Sequence, residues 1–103
     1  QAQVKKMIKE FKLRRDYLVN ELNLIENVSC LKPGGAFYVF PKINKDQMNS
    51  AEISKFLLEN KFVATVPGSS FGLNGENFLR VSYASSIKNL ERFIIRLRSF
   101  MND

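Results

Sequence analysis

The sequence predicts an α+β fold: a two-layer sandwich in which a small, mainly antiparallel sheet carries helices on one face. Three observations carry that reading. Apolar residues recur at steps of three and four near both ends of the chain and once in its interior, the period of a helix with one buried face. Between those segments lie short runs of aromatic and β-branched residues, each bounded by proline, glycine or asparagine, which is strand punctuation. The last two such runs are also too close together for a parallel crossover, so they should pair antiparallel.

The first helix is expected over residues 3 to about 26, where Val4, Met7, Ile8, Phe11, Leu18, Leu22 and Ile25 form the stripe and Arg14 and Arg15 interrupt it. Its start is unusual. Gln1, Ala2 and Gln3 offer no capping side chain, and Lys5, Lys6 and Lys9 crowd the end where the helix dipole disfavours cations. Such a helix reads as the continuation of something upstream, so residues 1–103 are expected to be one domain, a fragment of a longer protein. Residues 28–31 suit a short edge strand. Lys32, Pro33, Gly34 and Gly35 supply turn chemistry, and residues 36–40 give the strongest strand signal before Pro41 stops it. The polar stretch 42–48 is expected to be a mobile loop. Asn49 can cap a second helix, with Glu52 reaching back to it, and Ile53, Phe56 and Leu57 form its buried face up to a stop near Asn60. A strand over 62–66 ends at Pro67 and Gly68. After a Gly/Ser-rich turn, residues 78–84 form the last strand. Ser85 or Ser86 then caps a closing helix in which Ile87, Leu90, Ile94, Leu97 and Met101 face inward and Phe93 and Phe100 widen the stripe.

A chain of 103 residues that is 45% hydrophobic can bury one real but small core. It contains no histidine and one cysteine, Cys30, so Ser-His-Asp and Cys-His chemistry, His-ligated metals and disulfide frameworks are all excluded from within it. Cys30 reads as a small apolar residue at a strand edge. No apolar run approaches a membrane span, and a soluble, cytoplasmic protein is the expectation. The net charge of +6 permits nucleic-acid binding without establishing it.

Strand alternation singles out one cation. In the run Phe78-Leu79-Arg80-Val81-Ser82-Tyr83-Ala84, the side chains of Leu79, Val81 and Tyr83 share one face and those of Phe78, Arg80 and Ser82 the other. The first face is the candidate for burial, so Arg80 projects from the open side. An arginine there is either a solvated charge in a weak surface pair or a carboxylate clamp, since its planar fork matches a carboxylate with two parallel hydrogen bonds. Position alone leaves both open.

Three blocks read together resemble a known set: Pro33-Gly34-Gly35-Ala36-Phe37-Tyr38-Val39-Phe40-Pro41, Val66-Pro67-Gly68-Ser69-Ser70-Phe71-Gly72, and the strand around Arg80. With their spacing, the Arg14-Arg15-Asp16 stretch of the leading helix and the closing helix, they are similar to the C-terminal small domain of the class I/II aminotransferases of fold-type I, aspartate aminotransferase-like. The resemblance implies that Arg80 binds the α-carboxylate of an amino-acid substrate and that the loop from Pro67 to Gly72 lies at the mouth of the cleft. Phe71 is a weaker candidate for shielding the site, with a hydrophobic plug under the loop as its plain alternative. Gly35 is a weaker one still, with a structural turn as its alternative.

Transamination between an amino acid and a 2-oxo acid is the implied reaction, with pyridoxal 5'-phosphate as the implied cofactor. In the family that cofactor is held by a lysine, an aspartate and a phosphate cup of the large domain, motifs that do not occur in these residues. No catalytic, cofactor-binding or metal-binding residue is therefore expected within this chain, which by itself should be inactive. Its partners would be the substrates, the large domain of the same chain and, for the whole protein, a second subunit of a homodimer, with neither nucleic acid nor membrane among them. Two rivals stand beside this reading: a related lyase or synthase of the same fold-type, and a basic α+β RNA-binding module using the aromatic residues 37–40.

Overall fold

The structure, a computed structural model, describes residues 2–32, 37–61, 64–71 and 76–103. Within them the order is α1 (Ala2–Asn23), β1 (Val28–Ser29), β2 (Tyr38–Val39), β3 (Lys42–Ile43), α2 (Ser50–Lys61), β4 (Val66–Pro67), a 3₁₀ turn (Gly68–Phe71), β5 (Leu79–Ser82) and α3 (Ile87–Asn102). Every strand pairing described is antiparallel, and the expected α+β architecture is what is found. The expected 62–66 strand is described only from residue 64, and its ladder pairs lie at Val66 and Pro67, so proline stands inside the strand. β4 pairs on one side only, and proline's missing N–H is tolerated at such an edge.

β5 is the centre of the sheet, between β2 and β4. Val39 stands opposite Val81 and Tyr38 opposite Ser82 on one side, while Val66 stands opposite Arg80 and Pro67 opposite Leu79 on the other. Leu79, Val81, Tyr83 and Val39 are buried in one continuous core with Leu18 and Leu22 of α1, Ile53 and Leu57 of α2, and Leu90, Ile94, Leu97 and Phe100 of α3. The helices thus cover the face that alternation assigned to burial. In α3 Leu90, Ile94 and Leu97 are buried and Phe93 and Phe100 widen their stripe as expected, whereas Ile87 is 40% exposed rather than inward.

Two expectations are corrected. Residues 42–48 are not simply a mobile loop: Lys42 and Ile43 pair with β1 as Ser29↔Lys42 and Val28↔Ile43. Ile43 is fully buried, and its N–H donates to Asn77 O at 2.8 Å. One apolar residue in a polar stretch is enough to anchor it, a signal that periodicity over a window does not register. The first helix also ends at Asn23, not near residue 26. Leu24 N–H and Ile25 N–H reach back to the carbonyls of Glu21 and Leu22, the tighter bonding of a closing turn. Asn23 finishes the stop. Its amide donates to Val19 O at 3.0 Å and to Cys30 O at 2.8 Å, and its oxygen accepts from Cys30 N–H at 2.8 Å. Asn27 then turns the chain at φ 66°, a left-handed value that asparagine tolerates.

The capping expectations hold. Asn49 and Glu52 exchange two hydrogen bonds of 2.9 Å, a reciprocal capping box at the start of α2. Ser86 caps α3 by accepting from Asn89 N–H at 3.2 Å. Lys45 closes the other end of α3, donating to Met101 O and Asp103 O, where a cation suits the helix dipole. Glu21 and Arg98 join α1 to α3 at 3.1 Å.

The apolar stripe of α1 divides in two. Leu18, Val19 and Leu22 are buried, whereas Val4 is 53% exposed and Met7 55%. Truncating Leu97 to alanine should therefore lower unfolding stability by about 2–5 kcal/mol. Val4→Ala should change it by less than about 0.5 kcal/mol. Urea titrations of the two variants check the contrast, and equal losses would mean that the start of α1 is packed in solution.

Candidate functional site

Arg80 stands on the central strand, on the sheet face opposite the helices, half-buried. Its Cζ lies 4.3 Å from the centroid of the Tyr38 ring. The register accounts for this contact: Tyr38 is opposite Ser82, hence diagonal to Arg80 on the same face, a spacing that long side chains bridge. Cation–π attraction to that ring restricts the rotamers of a side chain that would otherwise sweep a wide volume. Sequence reasoning named Arg80 but did not pair Tyr38 with it. The signal was available, because an alternating strand with Val39 inward must present Tyr38 outward.

Phe40 and Phe78 continue that face and line a cavity of about 520 Å³ with Asn23, Cys30, Leu31 and Lys42. Arg80 is not among its lining residues. Leu31, at the rim, is 90% exposed. Cys30 is a core residue, and burial pushes its thiol up to about 11, which leaves little thiolate at neutral pH. This matches the small-apolar reading of Cys30.

The two weaker candidates remain where the sequence left them. Phe71 belongs by its backbone to the 3₁₀ turn after β4, and its side chain lies outside the described residues, as does Gly35 with its turn. Arg14 has a different part from the one periodicity assigned. Rather than merely breaking the stripe of α1, it donates to Ser85 O at 3.2 Å and lies 4.7 Å from the Phe11 ring. The chain leaving β5 is thereby tied to α1, and Phe11 in turn packs on Phe37 at 4.8 Å. Asp16 extends the same tie: Lys32 at 2.9 Å, with Arg15, holds its carboxyl below the ordinary value.

This arrangement matches a known one. The profile of the family "Aminotransferase class I and II" matches residues 1–97. The chain belongs to that family. The YugH protein of Bacillus subtilis, named as an aminotransferase, is 44% identical over 99 residues, which is 96% of this chain and 25% of that protein. The aspartate aminotransferase of Pyrococcus abyssi is 38% identical over 100 residues, which is 97% of this chain and again 25% of that one. Among solved structures, an alanine aminotransferase from Pyrococcus furiosus superposes with a TM-score of 0.90 at 39% identity, covering 95% of this chain and 25% of that one. An aromatic aminotransferase from Pyrococcus horikoshii gives 0.91 at 37%, covering 98% and 27%. This chain therefore spans about a quarter of the length of the aminotransferases it matches.

Aminotransferases of this class typically use pyridoxal phosphate. The described residues do not fit that group. Lys32 is committed to Asp16, Lys45 to the end of α3 and Lys61 to Asp103, while Lys5, Lys6, Lys9, Lys12, Lys55 and Lys88 stand exposed on helices. Lys42 is likewise exposed, on the rim of a cavity whose lining holds no aspartate for a pyridine nitrogen. Among the described residues there is also no group of acidic or thiol side chains able to hold a metal, and no helix long and apolar enough to cross a membrane.

The thiol makes the first chemical test. At pH 8 the folded chain should react with iodoacetamide at Cys30 about a hundredfold more slowly than the same chain in urea, since its thiolate is scarcer by that factor. The rate should climb tenfold per pH unit toward about 11. Equal rates folded and unfolded would show that Cys30 is neither buried nor shifted.

Proposed function

We propose that this chain is the substrate-binding small domain of a pyridoxal-phosphate-dependent aminotransferase, from the C-terminal part of a longer protein, with Arg80 holding the α-carboxylate of the substrate. The share of the relatives that is matched does not by itself say which quarter it is; the placement rests on the three motif blocks and their order. One observation carries the assignment of Arg80: its guanidinium stands on the face of the central strand that the helices leave uncovered, positioned by Tyr38. Stacking occupies the face of a guanidinium, while a carboxylate is bound along its N–H edge, so the two contacts are compatible.

The division of labour follows from what these residues can do. The cofactor, expected in the remainder of the protein, supplies the electron sink for the reaction. In this reading the described residues contribute neither a proton-transfer group nor a Schiff-base lysine. Its contribution is orientation, because two parallel hydrogen bonds from a fixed fork set the direction of the bonds around the α-carbon. Phe71 and the backbone at Gly35 are proposed as neighbours of the substrate. The relatives carry names specifying different amino donors, aspartate and aromatic amino acids among them. That supports a shared carboxylate clamp here, with side-chain preference set by the large domain and by a partner subunit of a homodimer.

In the full-length holoenzyme Arg80→Ala should lower kcat/KM for its amino-acid donor by about two to four orders of magnitude, the worth of two charge-assisted hydrogen bonds. The cofactor's absorbance should be unchanged. Arg80→Lys should restore only part of the loss, because it returns the charge without the fork. An Arg80→Ala enzyme with undiminished kcat/KM would overturn the assignment. Residues 1–103 alone should show no transamination.

A further inference from the structure

A second polar concavity lies where β5 ends against α3. It has a volume of about 310 Å³, and its polar lining consists of Ser82, Ser85, Asn89, Arg92 and Arg96. Arg80 is not part of it, and neither is any aspartate or glutamate.

The hydrogen bonding of this lining has a definite polarity. Ser82 Oγ accepts from Ala84 N–H at 3.1 Å, and Ser85 Oγ accepts from the Asn89 amide at 3.0 Å. A hydroxyl carries one proton as well as its lone pairs. With their oxygens already accepting, both serines still carry an O–H able to donate. The arginines can only donate. Arg92 and Arg96 are one helical turn apart, so their side chains lie on the same stripe of α3, and Lys88 one turn earlier extends it. Like charges at that spacing oppose helix stability. Among the described residues no acid is paired with Arg92. The adjacent Glu91 projects about 100° around α3 from Arg92, and its charge acts on Tyr17 of α1.

We propose that this cleft is a binding site for a small phosphate-bearing anion, held by the forks of Arg92 and Arg96 and by the hydroxyls of Ser82 and Ser85. Donors converge on it from a strand end, a loop and a helix face, a mixture that a merely solvated helix surface does not have. Two guanidinium groups match the several oxygens of a phosphate better than a single carboxylate does. The volume accommodates a phosphate with a small organic substituent. This site is independent of the role given to Arg80.

Inorganic pyrophosphate is the probe. Its binding to the full-length holoenzyme, followed by isothermal titration calorimetry, should show one more site per chain in the parent than in Arg92→Gln/Arg96→Gln, or an affinity at least tenfold tighter at that site. Ser82→Ala/Ser85→Ala should weaken it about threefold. Arg92→Lys/Arg96→Lys keeps the net charge and loses the forks, and should also weaken it severalfold. Transamination without pyrophosphate should be the same in all three variants, which reports that they fold. Identical isotherms for the parent and the glutamine variant would overturn the proposal. So would full affinity in the lysine variant, or equal competition by chloride, since either would reduce the effect to diffuse charge. Binding of single-stranded RNA without binding of pyrophosphate would overturn it too.

Discussion

The two-residue period of β5, held rigid between β2 and β4, is the constraint from which the rest of the molecule follows. Leu79 and Val81 on one face, and Tyr83 just beyond the strand, must be buried, and the three helices assemble over them. A slip of the register by one residue would drive Arg80 into the apolar layer and turn Leu79 and Val81 outward. Burying an unpaired guanidinium in that layer is far costlier than the loss of any single contact. The same energetics that fix the sheet therefore fix which way Arg80 faces. Core and candidate site are two sides of one strand.

The tethers that hold β5 to its surroundings come from side chains whose types suggest surface roles. Arg14 binds the carbonyl of Ser85, beyond the end of β5, and stacks on Phe11. Asn23 satisfies all the polar atoms of its amide against α1 and Cys30. Arg14 is half-buried and Asn23 more exposed, yet both are polar groups with specific partners, which specify a unique geometry more sharply than further apolar area does. The start of α1 has no such tether among the described residues, and its apolar stripe lies exposed.

Much of this was readable in the residues. The capping box of Asn49 and Glu52, the Ser86 cap and the inward triplet of Leu79, Val81 and Tyr83 each depend on neighbours within a few positions, where local geometry decides. Arg80 was legible for the same reason. What escaped was non-local. Lys42 and Ile43 form a strand only because β1 lies beside them, and no pattern inside 42–48 announces that pairing. Tyr38 reaches Arg80 only because the register sets it on the diagonal. The donor-lined cleft at Arg92 and Arg96 unites residues from a strand, a loop and a helix, whose sequence spacing gives no hint of convergence.

The residues by themselves determined the α+β class, the helix starts and the face on which Arg80 stands, because propensity, capping and alternation act over a few covalently linked positions. Tertiary structure alone decided where α1 stops, that 42–43 becomes a strand, and which aromatic ring lies against Arg80. Those outcomes depend on which surfaces meet in space, and that is set by the packing of the whole core rather than by any segment of it.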